Sequence, residues 1–154
     1  MNKKGFTLTE LLAVIAIIGI LSLVAIPNII GIVDNIRKDN MVSDAKKLIS
    51  IAQMSVNSSY DIKNFKNYGS DTTDYRCVNS TKTCTFKFSY LNRNKDIKND
   101  PDGGSYNSSS YVKYTKDNSG NVSYCIYLQG SKRKIGTSAT CVSEKDLYSK
   151  DVVK

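Results

Sequence analysis

The sequence predicts an α+β fold: one long N-terminal helix whose second half packs on a small antiparallel β-sheet. Three observations predict it. Residues Leu11 to Val33 carry no charge, and Glu10 is the only charged side chain between Lys4 and Asp34. Beyond Asp34, Ile36, Val42, Ala45, Leu48, Ile49, Ala52 and Val56 recur mostly at three- and four-residue steps among polar residues, the pattern of an amphipathic helix. Further on, short stretches alternate apolar and polar residues, as strands with one buried face do. At 154 residues the chain supports one core and not two.

The apolar run is long enough to cross a hydrocarbon core of about 30 Å as an α-helix. Lys3 and Lys4 precede it, which places that end in the cytoplasm and the rest of the chain outside. A cleaved secretory signal also begins with a basic end and an apolar stretch. Against it stand the length of the run, the carboxylate of Glu10 near its start, and a periodicity that continues without a break into a polar-faced helix. A carboxylate within a membrane helix costs about 2.5–3.5 kcal/mol unless it finds a partner. Ala13, Ala16, Gly19, Ser22 and Ala25 form a row of small residues at spacing three, which allows close approach of several neighbouring helices. Pro27 has no amide hydrogen and leaves the carbonyl of Leu23 without its helical donor, so a kink or loosening is expected there.

The run Lys3-Lys4-Gly5-Phe6-Thr7-Leu8-Thr9-Glu10-Leu11-Leu12, followed by an apolar helix containing Pro27, resembles the class III signal of type IV pilins and type II secretion pseudopilins. The resemblance covers roughly the first 35 residues. It implies a leader of residues 1–5 removed after Gly5 by a prepilin peptidase, and methylation of the new amino terminus at Phe6. It further implies residues 6–33 as the membrane and assembly half of the helix, and residues 34–154 as the rest of the helix plus an extracytoplasmic head. Glu10 would neutralise the Phe6 amine of an adjacent subunit, two costly charges becoming one pair, and Pro27 with Gly31 would mark a point where the helix can melt.

From Phe6 to about Ser58 such a helix runs roughly 80 Å at 1.5 Å per residue. Residues Ser59 to Arg76 are polar and aperiodic and read as a loop that gives little to the core. Cys84, Phe86, Phe88 and Tyr90 alternate with Thr85, Lys87 and Ser89 as one strand. Asn92 to Ser110 centres on Asp100-Pro101-Asp102-Gly103-Gly104, a turn expected to be solvated. Some pseudopilins carry a calcium loop, but this stretch lacks the ligand order and closing Glu of an EF-hand. Tyr111 to Thr115 and Val122 to Leu128 flank Asp117-Asn118-Ser119-Gly120-Asn121, a hairpin signal. Ser131 to Val142 would then complete a meander of three or four strands over the Ile36 to Val56 helix face.

The chain has no His and no Trp, which removes imidazole acid–base chemistry, the Ser-His and Cys-His nucleophile pairs, and imidazole metal sites. No convergent acid, base or nucleophile set stands out, and no cofactor is expected. Cys77, Cys84, Cys125 and Cys141 all lie in the outward portion and fit two disulfides in an oxidising space. Of three possible pairings, Cys77 with Cys84 across a short turn and Cys125 with Cys141 is favoured, as in the stapled C-terminal region of many pilins. No C-x-x-C pair exists, so neither a zinc site nor thiol redox chemistry is favoured. Asn57, Asn79, Asn107 and Asn121 open Asn-X-Ser/Thr triplets that a chain this rich in Asn and Ser forms by chance. The formal charge of +8 leaves +7 after Val33, since 8 − 2 + 1 = 7 on removing Lys3, Lys4 and Glu10.

The expected function is therefore a subunit that polymerises with its own kind and other pilin subunits into a pilus or pseudopilus after processing by prepilin peptidase. It would be a single-pass membrane protein before assembly and an extracellular filament afterwards. The alternative is a competence-type pseudopilin or minor pilin whose basic head meets DNA or an anionic surface polymer.

Overall fold

In the computed structural model the described residues are 7–66 and 74–154, with only the backbone described for 23–28. The chain is α+β, a long N-terminal helix followed by a small antiparallel sheet, the arrangement expected of a pilin. Helix α1 spans Leu8–Ser58 and continues through position 27. It is shared between two compact units, the first ending at Ile36 and the second running from Arg37 to Lys154.

In the first unit the helix carries its aliphatic side chains outward. Nine large apolar residues between Leu8 and Leu21 are 45–81% exposed. In the second unit, Met41, Ala45, Leu48, Ala52 and Val56 are nearly all inaccessible. Their spacing puts them on one helix face, where they join Phe86, Val112, Ile126 and Leu128 of the sheet in one core. The same backbone conformation thus serves two environments, and only the side-chain pattern changes at Arg37.

The sheet contains β1 (Tyr75–Val78), β2 (Thr83–Lys87), β3 (Tyr111–Lys116), β4 (Val122–Gln129), β5 (Lys134–Ile135), β6 (Val142–Ser143) and β7 (Val152–Val153). Their order is β1-β2-β3-β4-β5-β7, every pair antiparallel, with β6 also against β4. The β3–β4 hairpin closes with Lys116 opposite Val122. Asp117 Oδ1 accepts the Asn121 N–H at 2.8 Å, and Gly120 takes φ +86°, a left-handed turn position that favours glycine.

Several details differ from the sequence reading. Among the described residues seven strands form instead of three or four: β1 starts in the stretch read as a loop, and β5, β6 and β7 are two-residue ladders too short to carry a period. Ser59–Arg76 is not a bare loop: α2 (Tyr60–Lys63) forms one turn, with Ser59 Oγ accepting the Ile62 N–H at 3.4 Å, and β1 begins at Tyr75. It also feeds the core, since Ile62 and Phe65 are buried and Phe65 stacks on Tyr114 with centroids 5.3 Å apart. Two isolated apolar residues are too few to register as a pattern. The strand expected over Cys84 to Tyr90 stops at Lys87, which lies opposite Tyr111 at the start of β3. Phe88 still donates its N–H to the Ser110 carbonyl at 2.9 Å, and Phe88–Leu91 then turns into the short helix α3.

Candidate functional site

The helix begins with a reciprocal cap. Thr7 donates its N–H to Glu10 Oε2 at 2.8 Å and its hydroxyl to the same oxygen at 2.9 Å, while the Glu10 N–H donates to Thr7 Oγ1 at 3.3 Å. This is the Ser/Thr-x-x-Glu capping box, which satisfies two otherwise orphaned donors of a helix N-terminus. The Thr7-Leu8-Thr9-Glu10 spacing carries that signal, which was not drawn from the sequence above. Glu10 itself is exposed. Gly5 and Phe6 lie outside the described residues, and so does the side chain of Pro27.

Gly19 and Gly31 have open space where a Cβ would stand. Glycine within a helix costs about 1 kcal/mol relative to alanine, and no contact among the described residues requires it at either position. Among the described residues no helix is long and apolar enough to cross a membrane; the uncharged run 11–33 takes in residues 23–28, whose side chains are outside that set.

Residues 1–26 match the family model of the prokaryotic N-terminal methylation motif. The match takes in Gly5, Phe6, Glu10 and much of the apolar run, and the motif is the class III signal of type IV pilins; it supports processing by prepilin peptidase. No curated protein and no solved structure matches the chain.

The four cysteines form two disulfides, Cys77–Cys84 and Cys125–Cys141. The first lies across facing positions of β1 and β2 on the core side. The second ties β4 to the residue just before β6.

The turn expected to be solvated is instead a buried polar network, because it docks on the segment after β4. Asp100 Oδ1 accepts the N–H groups of Asp102 at 2.8 Å and Gly104 at 3.0 Å, and Oδ2 accepts that of Ser131. Asp102 Oδ1 meets the guanidinium of Arg133 and, at 3.3 Å, that of Arg37. These carboxylates face amide and guanidinium donors, not an open cation cage. A Cβ at Gly130 would stand 2.9 Å from Asp100 Oδ2, so the close approach depends on that glycine. Nearby, the Tyr106 hydroxyl donates to Asp44 Oδ2 on α1 at 2.9 Å.

These contacts set opposite pH limits. Burial alone would raise the Asp100 carboxyl, but the Ser131, Gly104 and Asp102 donors outweigh it and hold its pKa below the usual carboxylate value. Its contribution is therefore complete above the unfolded pKa of about 3.9 and lost as pH falls through the depressed native value. Burial first, then the Asp44 charge, pushes Tyr106 upward; burial, with Tyr114 and Glu144 behind it, pushes Tyr124 up to about 12. Their contribution is complete below about pH 10 and lost above it. Urea midpoints measured across pH should fall at both ends, and Asp100→Asn should lower the plateau while flattening the acid limb. An unchanged acid limb in that variant would remove Asp100 from the account.

Proposed function

We propose that this chain is a structural subunit of a type IV pilus or pseudopilus, polymerised through its N-terminal helix. Residues 1–5 are the leader, removed after Gly5 with methylation of Phe6. Residues 6–33 form the membrane and assembly half, and residues 34–154 the remaining helix and extracytoplasmic head. The observation that carries the reading is the methylation motif over residues 1–26, set at the start of a helix whose aliphatic side chains are open to any neighbour. Burying each such side chain stabilises an assembly by about 1.5–3 kcal/mol, and the unfilled space at Gly19 suits a neighbouring helix at close range. Before assembly a membrane supplies the same apolar surroundings.

In this account Glu10 pairs with the Phe6 amine of an adjacent subunit and guides assembly. Replacing it leaves that cation without a partner at a cost of about 2.5–3.5 kcal/mol, about 60- to 300-fold in equilibrium at about 1.4 kcal/mol per tenfold. Glu10→Leu is expected to be exported and cleaved normally, yet to reduce sheared filament at least tenfold. Filaments at the parental level would remove Glu10 from assembly.

A further inference from the structure

We propose that the outward face of β1–β3 is a docking surface for duplex DNA, held through its phosphates by Arg76, Lys87 and Lys113. The ladder register puts Arg76, Thr85 and Lys113 in one row across three strands, with Lys87 two residues along β2 from Thr85 on the same face. At about 4.8 Å between strands and 3.3 Å per residue, the three cations lie within roughly 10 Å of one another at their Cα positions. The remaining outward positions include Thr83 and Thr115, and no outward position on these three strands holds a carboxylate. Asp74 before β1 and Asp117 after β3 are the nearest acids in sequence to this face among the described residues; the carboxylate of Asp74 meets Arg93 at 2.7 Å, and that of Asp117 accepts from Asn121 at 2.8 Å. None of the three cations forms an ion pair among the described residues.

This is a cationic face with threonine hydroxyls beside the cations, and such a face reads backbone charge and not sequence. A duplex presents about one charge per 1.7 Å of axis, so several phosphates fall within its reach. The aromatic pair at its edge is not available to unpaired bases: Tyr127 is 5% exposed, and Tyr111 packs against it at 5.6 Å with its hydroxyl on the Ser138 carbonyl. Stacking on aromatic rings is what single-strand binding uses. A stiff duplex, with a persistence length of about 50 nm, also loses less freedom on binding than a flexible anionic polymer does. Display of the face outside the cell rests on the pilus reading; the binding itself does not.

The test uses the full chain in detergent micelles with a labelled duplex, its affinity followed by fluorescence anisotropy between about 50 and 200 mM salt. The triple variant R76Q/K87Q/K113Q should reduce the slope of log K against log salt by about 2.7, which is 0.9 for each lost phosphate contact. It should also weaken binding at least tenfold at the low-salt end. The control K46Q/K47Q/K150Q removes the same charge elsewhere and should stay within twofold of the parent. Equal weakening by both triples, no binding by the parent, tighter binding of a single strand, or displacement of the duplex by a glycerol-phosphate polymer at equal phosphate would each overturn the proposal. Failure of leader cleavage in cells would sink the pilus reading and leave this result standing.

Discussion

Asp102→Ala is expected to lower the unfolding free energy of the second unit by about 3–5 kcal/mol, the cost of removing one partner of a buried ion pair. Arg133 is 5% exposed and the Asp102 side chain 1% exposed, so water cannot replace the lost carboxylate. Asp102 Oδ2 has no hydrogen-bond partner among the described residues, which leaves the favourable energy concentrated on Oδ1 and its two guanidiniums. Removing both charges is a different experiment. Asp102→Ala combined with Arg133→Met should recover much of the loss, because an apolar pair in place of a buried ion pair is often neutral or better. Denaturant midpoints of both proteins, taken under non-reducing conditions, check this. A single variant within about 1 kcal/mol of the parent would show that Arg133 finds other compensation.

Loss of the Cys125–Cys141 disulfide should have a comparable effect. The cysteines are 16 residues apart in sequence, and closing a loop of that size removes about 3 kcal/mol of entropy from the unfolded chain. Cys77–Cys84 closes a separation of 7 residues and contributes somewhat less on the same reasoning. Small domains have net stabilities of about 5–15 kcal/mol, so the two bridges supply a large share. The C125S/C141S variant should unfold about 2–5 kcal/mol earlier in urea, and full reduction should bring the midpoint close to zero denaturant. A reduced protein with an unchanged midpoint would mean that the core alone suffices.

Much of this architecture was legible before any coordinates. The buried face at Val42, Ala45, Leu48, Ile49, Ala52 and Val56 is a local property of the helix, and periodicity reports it; it misses at the N-terminal end, where Ile36, counted on that face, is 50% exposed and Met41, not counted, is buried. The Asp117–Asn121 turn is local in the same sense, and so is the short span between Cys77 and Cys84. What stayed hidden depends on distant partners. Asp100 is 31 residues from Ser131, and Asp102 is 31 residues from Arg133; in sequence they look like a solvated acidic turn, and only the β4–β5 connection brings the donors to them. The two-residue strands are invisible for a related reason, since a ladder that short is defined by its partner. At the N-terminus the signal was present in full: Thr7 and Glu10 stand at capping-box spacing, and the same Glu10 carries the family resemblance. One residue there serves both the helix start and, in the proposed filament, the neighbouring subunit.

The most direct test of the filament account is the non-reducing intact mass and N-terminal sequence of the protein in material sheared from the producing cells. The account predicts a chain beginning at N-methylated Phe6, lacking residues 1–5 and four cysteine hydrogens, and present in the sheared fraction. A chain that still begins at Met1 and stays in the membrane fraction would contradict it, and the protein would then be a tethered domain instead of a filament subunit.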